Sequence, residues 1–588
     1  DKRVLLILDN CEHLLDACAG LAGGLLAACP DLCLLATSRE PLRTAGEIIW
    51  EVPPLSLPGL DRLPSPQELA ANDAVALFTD RAQRVLPTFG LNNQNGPVVA
   101  RLCHRLDGLP LAIELAASRI RVLSVAQIHD RLDDALRLLV GGDRLPPTRQ
   151  QTLRATLDWS NELLRDDEQR LLQRLTVFSG SFGLEAAEAV CSGDGLEQAE
   201  ILDLLSGLVD KSLVVAQRSR GETRRFRLLE TIGWYARERL VAAGVEEKWR
   251  AQHLHSYLRF AEQVDPTASW GILDLRLLER FDQERDNLRA AMRWAIEDGR
   301  AEEGHRLAAT MAWFWYRRGL LREGMYWLDR ILAITGQIAP KARVGGLSAA
   351  GLLAGLLGDY ERSIAWHQET VALGRDSECL AFAGWSLHKL AYYAGFDGDV
   401  ELASDRLAES LEMFFEIGHE GGVAFTLLTQ GLHALHWGNY ERAEALFRVS
   451  LPFFQETGDT SGSVQALRGL GNVARQRGDL DAASVHLQAA LRLARQRVSS
   501  LELPGCLDSL ANLACARVLP ERAAQLFGAS MALRQTTGAE LVLWDRAAIE
   551  PDLLAIRARL GDAAFEAAFA AGQEMTLEQA VAFALEDS

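Results

Sequence analysis

Asp9 closes a short apolar run, Val4-Leu-Leu-Ile-Leu8, and Arg39 follows a second run, Leu32-Cys-Leu-Leu-Ala-Thr37, by way of Ser38. A carboxylate and a guanidinium at the carboxyl ends of neighbouring apolar strands are two parts that phosphoryl chemistry uses together. The Asp can hold Mg²⁺ through water and the Arg can reach a terminal phosphate. One strand ending in Asp would more often be an accident of an α/β edge; the second, ending in Thr-Ser-Arg, shifts the balance toward a ligand site. Other chemistry finds little support. There is no G-x-S-x-G, H-E-x-x-H or paired-carboxylate arrangement, and the nine cysteines contain no C-x-x-C, Cys29 and Cys33 being the closest pair. His253 and His255, two apart on a helical stretch, would point to different faces and read as surface residues rather than metal ligands.

The elements that must position Asp9 and Arg39 follow from the pattern. Continuous apolar strands separated by a Cys/Ala/Leu-rich helix predict a parallel sheet covered on both faces, with ligands at the carboxyl ends of its strands. Further on, Asp107-Gly-Leu-Pro-Leu-Ala112 places Gly108 at the end of one helix and Pro110 in the first turn of the next, which runs through Glu114 to Ile120.

Taken together, LLILDNCEHLLDAC, LLATSREPL, IIWEVPPLSLP and GLPLA resemble the second half of the nucleotide-binding domain of the STAND regulatory ATPases of NB-ARC type. The nearest similarity is to bacterial LuxR-type and AfsR-like transcriptional regulators. The resemblance implies that Asp9 is the Walker B aspartate, binding Mg through water, and that Arg39 is the sensor arginine facing the γ-phosphate. It also implies that Gly108 and Pro110 form the GLPLA turn beside the nucleotide, and that the complete protein uses ATP or ADP with Mg as cofactor. Asn10 stands where many P-loop ATPases carry a second acid, so hydrolysis is expected to be slow or absent and the complete protein at most a weak regulatory ATPase. No G-x-x-x-x-G-K-[ST] occurs; the only Lys before Ser or Thr is Lys211, which follows Asp210. The family's phosphate loop precedes the Walker B strand and the chain begins at Asp1, so the expectation is that this loop lies upstream. The chain alone is then expected to bind no nucleotide tightly.

Gly141-Gly142 and Pro146-Pro147 mark a linker, after which Arg149 to Ser160 opens a helical stretch resembling the entry to the family's winged helix. Leu213 to Ala216 and Arg225 to Leu228 flank a polar turn like a β-hairpin wing. Between Lys211 and Arg227 lie six basic residues and one acid, Glu222. DNA contact is one reading; a solvated hairpin or an intramolecular contact is favoured, because winged helices of this family mostly clamp the nucleotide domain. The helix before the wing, Ile201 to Val209, is mostly apolar and reads as buried. Where many relatives carry a nucleotide-sensing histidine, the resemblance aligns Leu229, followed by Glu230.

Beyond Glu246 a repeat appears: Gly358, Gly398, Gly438 and Gly478 recur every 40 residues, and the next step lands on Val518. Ser363, Ala403, Ala443 and Ala483 follow by five residues; Gly351, Ala391, Gly431 and Gly471 precede by seven. Small residues where two antiparallel helices touch, with glycine at the turn, predict a tetratricopeptide-like unit with a lengthened period rather than HEAT-type helices. Of Trp313, Trp315, Tyr316 and Trp327 in a displaced first copy, most read as core, with an aromatic ligand platform as the minority reading.

The expected fold is therefore mainly α: a partial α/β P-loop-type nucleotide domain with a helical subdomain (1–140), a winged helix (150–245), a tetratricopeptide-like α-solenoid (246–575) and a tail (576–588). The tail resembles the segment before a carboxyl-terminal helix-turn-helix, which is expected beyond Ser588. With 80 acidic and 61 basic side chains, the net charge of −19 argues against a surface wholly devoted to nucleic acid or membrane. The longest uncharged stretch, Gly421 to Tyr440, is too polar to span a bilayer. Free thiols and the absence of a signal peptide point to the cytoplasm. The expected function is a signal-responsive regulator that switches assembly with ADP or ATP, with a transcriptional output implied by the family resemblance. Its helical array would take an unknown ligand or protein, with self-assembly and with DNA contacted only through the missing output domain. The alternative is a nucleotide-independent, protein-binding scaffold.

Overall fold

The computed structural model describes residues 4–9, 11, 14–29, 31–38, 40–50, 52–59, 65–130, 132, 153–218, 224–267, 275–376, 379–496, 502–537 and 543–586. Asn10, Arg39, the Gly141–Pro147 linker and the tip of the wing lie outside them. The chain divides into two compact units, Asp1–Ser256 and Tyr257–Ser588.

In the first unit, β1 (Val4–Leu8) and β2 (Leu32–Ala36) pair in parallel, Val4 opposite Leu32 and Leu8 opposite Ala36, with α1 (Leu15–Ala28) as the crossover. The predicted cover on both faces is not what the structure shows. Alternate side chains of a strand point to opposite faces, and α1 lies against β2 without shielding them: Leu5 is 57%, Ile7 58% and Leu35 53% exposed.

Next come α2 (Pro66–Ala70), α3 (Asp73–Val85), α4 (Gly96–Arg105), α5 (Pro110–Ser118) and α6 (Val125–Asp130). Ser65 and Glu68 form a capping box that starts α2, and the Asn72 side chain accepts from the Val75 amide to start α3. Then follow α7 (Leu153–Glu162), α8 (Asp166–Arg174), β3 (Ser181–Phe182), α9 (Leu184–Cys191), α10 (Ile201–Asp210), β4 (Val214–Arg218), β5 (Arg224–Leu228) and α11 (Glu230–Ala242). The strands form an antiparallel sheet in the order β3-β5-β4, the hairpin read from the sequence. One apolar core runs from Leu69, Phe78 and Ile113 through Leu171, Phe182 and Leu205 to Ile232 and Tyr235, so the helical pieces on either side of the linker share an interior.

Helix α12 (Glu246–Ala261) leads from one unit into the other. His253 on it is buried, its ring 5.4 Å from that of Phe178, while His255 is exposed. The surface reading therefore holds for His255 only: the apolar face of α12 takes His253 into the core.

The second unit is a run of antiparallel helix pairs. It begins with α13 (Leu275–Glu297), α14 (Ala301–Arg318) and α15 (Leu321–Leu332). The pairs continue as α16 (Pro340–Leu356) with α17 (Tyr360–Asp376), α18 (Leu380–Phe396) with α19 (Val400–Glu416), and α20 (Glu420–His436) with α21 (Tyr440–Thr457). After them come α22 (Thr460–Gln476) with α23 (Leu480–Gln496) and α24 (Glu502–Ala516) with α25 (Pro520–Thr537). The predicted register is met residue by residue. Gly358, Gly398, Gly438 and Gly478 all have φ between +76° and +84°, the left-handed region that lets a chain reverse after a helix at no steric cost to glycine. Ser363, Ala403, Ala443 and Ala483 are fully buried, and a Cβ on Gly431 would come within 2.7 Å of the Phe447 ring. Trp313, Trp315 and Trp327 are buried, as a core reading requires. The end of the chain is helical: α26 (Leu543–Leu560), α27 (Asp562–Gln573) and α28 (Leu577–Leu585), with Val581 buried alongside Ala523 and Leu526.

Candidate functional site

The residues read from the sequence as ligand-facing fall in two places. Asp9 leaves β1 at its carboxyl end, exposed, and the Thr37 hydroxyl at the end of β2 donates to its Oδ1 at 2.5 Å. Main-chain bonds from Thr37 N to Leu8 O (2.9 Å) and Cys11 N to Thr37 O (3.0 Å) lock the two strand ends together. The parallel register thus brings a carboxylate and a hydroxyl side by side on the edge where open α/β sheets bind ligands. Gly108 and Pro110 form the turn between α4 and α5, with no described hydrogen bond or ion pair to Asp9. Pro110 occupies the first position of α5, where its missing N–H costs nothing. At Gly108 (φ +66°) a Cβ would lie 2.5 Å from the Leu55 carbonyl, and Leu55 N donates to Gly108 O at 3.0 Å. The bare face of this glycine is therefore filled by the chain's own 52–59 segment, which His104 also holds, its Nε2 2.5 Å from Pro58 O.

The residue before the motif glycine does more than the sequence indicated. Asp107, also left-handed (φ +53°) and 2% exposed, aims its carboxylate at the start of α11. Its Oδ1 accepts from Arg227 Nη1 at 3.1 Å; its Oδ2 accepts from the amides of Glu230 at 2.5 Å and Thr231 at 3.4 Å. Helix α11 needs this, because its own N-cap is Leu229, which has no oxygen to offer. A carboxylate at a helix N-terminus also opposes the positive end of the helix dipole. Burial pushes the Asp107 carboxyl up, while Arg227 and the two α11 amides pull it back. Around this contact Arg105 lies 3.8 Å from the Glu230 carboxylate and 5.7 Å above the Trp234 ring. A local sequence signal exists only in part: a helix beginning on Leu-Glu announces a missing cap, but the residue that supplies it is 123 positions away.

Three of the wing's basic residues are committed within the unit. Lys211 Nζ bonds both oxygens of the buried Glu168, at 2.8 and 2.7 Å. Arg225, 8% exposed, donates to the Ser181 hydroxyl at 2.9 Å and the Ser181 carbonyl at 2.7 Å. With Arg227 on Asp107, three of the six cations serve intramolecular contacts, whereas Arg224 is exposed. Helix α10, the candidate for reading DNA, buries Ile201, Leu204, Leu205 and Leu208. Arg43, in the segment after β2, reaches Asp210 at the end of that helix, 3.0 Å away. Among the described residues no group of His, Cys, Asp and Glu is arranged to hold a metal ion, and no helix is long and apolar enough to cross a membrane.

Comparison with known proteins agrees with this architecture. Residues 164–241 match the winged helix-turn-helix domain family, and residues 422–496 match the tetratricopeptide repeat family. A protein of Mycobacterium tuberculosis named "Putative HTH-type transcriptional regulator Rv0890c" is 48% identical over 332 residues, 56% of this chain and 36% of that protein. The chain thus spans about a third of the length of these curated relatives. A second M. tuberculosis protein, "Uncharacterized protein Rv0894", is 43% identical over 273 residues, covering 46% of this chain and 66% of that one. Among solved structures, a STAND protein with a tetratricopeptide repeat sensor from Pyrococcus horikoshii aligns with 97% of this chain and 80% of its own, at 16% identity and a TM-score of 0.40.

Proposed function

We propose that this chain is the switching and sensing part of a transcriptional regulator, in which the winged helix is an internal clamp and the helical array receives the signal. The observation that carries the reading is the Asp107 contact. A carboxylate from the turn before α5 caps α11 at the end of the wing, so any ligand that moves the α4–α5 turn also uncaps α11. Charge-assisted hydrogen bonds of this kind contribute about 1.5–3 kcal/mol each, enough to couple the two pieces and small enough for a ligand to reverse.

The transcriptional role is taken from the name of the M. tuberculosis relatives, and the sensing role from the repeats. ADP/ATP exchange is the proposed input to the α4–α5 turn, where Asp9 would hold hydrated Mg²⁺, Arg39 would face the terminal phosphate, and Gly108 and Pro110 would lie beside the nucleotide. The exposed Asp9 carboxylate, steadied by Thr37, is a hard oxygen donor of the kind Mg²⁺ takes. Gly108 is already accounted for by Leu55, and this favours the second reading to that extent: a nucleotide-independent scaffold in which the turn only packs.

If the wing is a clamp, the chain does not read DNA sequence. Titrated at physiological salt against a pool of genomic duplexes, it should enrich no motif and show only weak association that fades with salt, since Lys211, Arg225 and Arg227 are committed to intramolecular contacts. Enrichment of one motif that disappears with Arg224→Ala would make the winged helix the DNA-reading element and overturn the clamp.

A further inference from the structure

Within the second unit, one main-chain carbonyl is held by two side chains from consecutive repeats. Thr267 O, in the short segment that follows α12, accepts from Trp385 Nε1 of α18 at 2.8 Å and lies 2.9 Å from His419 Nε2. The proton on that histidine nitrogen is fixed by its other side. His419 is the N-cap of α20, and its Nδ1 accepts from the Gly422 amide at 2.9 Å, so Nε2 carries the hydrogen and donates to Thr267. Trp385 is held equally firmly, edge-on to Phe414 at 5.1 Å and to Phe425 at 5.6 Å between ring centroids. The Phe414 and His419 rings lie 5.2 Å apart and close the floor.

Both donors are therefore aimed by the array itself, and what they recognise is a carbonyl that every peptide possesses. The feature does not recur with the period: Trp385 is followed at 40-residue steps by Phe425 and Gln465, and His419 by Asp459. Nor is it a sealed core contact, since Trp385, His419, Pro266 and Thr267 are each half-buried and Asp265 is exposed. The occupant is shaped to fit. Asp265 Oδ1 accepts from the Thr267 amide at 2.8 Å and from its hydroxyl at 2.7 Å, a tight turn that presents the Thr267 carbonyl outward, and Val264 beside it is buried.

We infer that the Trp385–His419 clasp is a seat for a main-chain carbonyl presented by a short peptide turn, that residues 264–267 are its resident occupant, and that an incoming peptide of the same Asp-x-Thr kind signals by displacing them. This rests on the array being the sensor, and it names the chemical class of the input. The seat takes one carbonyl at a time, because Trp385 Nε1 and His419 Nε2 converge on the same oxygen, and the Asp265 turn is what presents it.

The test uses the whole chain and a fluorescein-labelled peptide of residues 261–267 with an amidated carboxyl end, titrated by anisotropy. Asp265→Ala loosens the resident turn without touching the seat, so it should raise affinity for the labelled peptide at least tenfold over the unsubstituted chain. Adding Trp385→Phe, which keeps an aromatic ring beside Phe414 and Phe425 and removes the N–H, should cancel that gain in a chain that still unfolds cooperatively. Equal affinity with and without Asp265→Ala, or a gain that survives Trp385→Phe, would overturn the inference. The duplex titration does not depend on Asp265 or Trp385, so failure here leaves the clamp reading standing, and failure there leaves this one.

Discussion

In the second unit neighbouring helices meet at residues with almost no side chain, whereas in the first unit unlike pieces are joined through single buried carboxylates. Ala403, Ala443 and Ala483 are the same contact made again at each step, so the array's geometry is set by a repeated absence of bulk. Asp107 and Glu168 are each made once, and each holds a cation or helix terminus that nothing else supplies. A repeated steric contact spreads stability evenly. A singular charged one concentrates it where a ligand can act on it.

The comparison is most easily broken at Glu168. Replacing Lys211 with Met leaves a carboxylate that is 2% exposed without its main partner. Loss of one partner of a buried pair costs about 3–5 kcal/mol, and the low end is expected because Arg165 stays 3.7 Å away. Urea unfolding should show this loss, and adding Glu168→Gln should restore most of it. A cost below 1 kcal/mol would remove the distinction between the units.

The array is not held by steric contacts alone: Asp459, Glu502 and Asp508 are buried in it, Asp508 paired with Arg534. Asp459, the N-cap of α22, is fully buried, and burial pushes its carboxyl up to about 6 from an ordinary 3.8. A raised carboxyl pKa contributes stability that is fully present below about pH 4 and lost as pH rises through about 6. Asp459→Asn keeps a capping oxygen and removes the titration. Relative to the unsubstituted chain, its stability should climb between pH 4 and 7 by up to about 3 kcal/mol. A pH-independent difference would contradict the assignment.

Ala443→Leu tests the steric rule itself. Overpacking a fully buried position between α20 and α21 should cost about 1–3 kcal/mol, read as a drop in thermal midpoint. The smallest expected effect is a gain. Val518 occupies the turn that glycine fills in the earlier copies and adopts φ +64°, a region costly for a β-branched residue. Val518→Gly should relieve that strain against a larger unfolded-state entropy, a net gain of no more than about 1 kcal/mol.

These contrasts also show what was legible in the sequence. The array could be read almost to the residue, because its rule is local and periodic: a glycine after one helix, a small residue five positions later. The wing and the α4–α5 turn were legible for the same local reasons. The cap on α11 was not, since Leu229 signals only that an oxygen is missing and Asp107 lies far upstream. The clasp on Thr267 escaped as well: Trp385 and His419 look like ordinary repeat residues until folding brings an unrelated segment between them. The double cover predicted for β1 and β2 was drawn from a valid rule about apolar strands, which the described residues do not satisfy.

Asp107 is the joint between the α4–α5 turn and the winged helix. Amide hydrogen exchange at Glu230 and Thr231, compared between the unsubstituted chain, Asp107→Gly and Asp107→Asn, tests this directly. Glycine preserves the left-handed backbone and removes the cap, and the loss of about 1.5–3 kcal/mol predicts exchange faster by roughly ten- to a hundredfold at the start of α11. Asparagine, which keeps an oxygen, should fall between, and the amides of α10 should be unaffected. Exchange at Glu230 and Thr231 that is unchanged by Asp107→Gly would contradict the account.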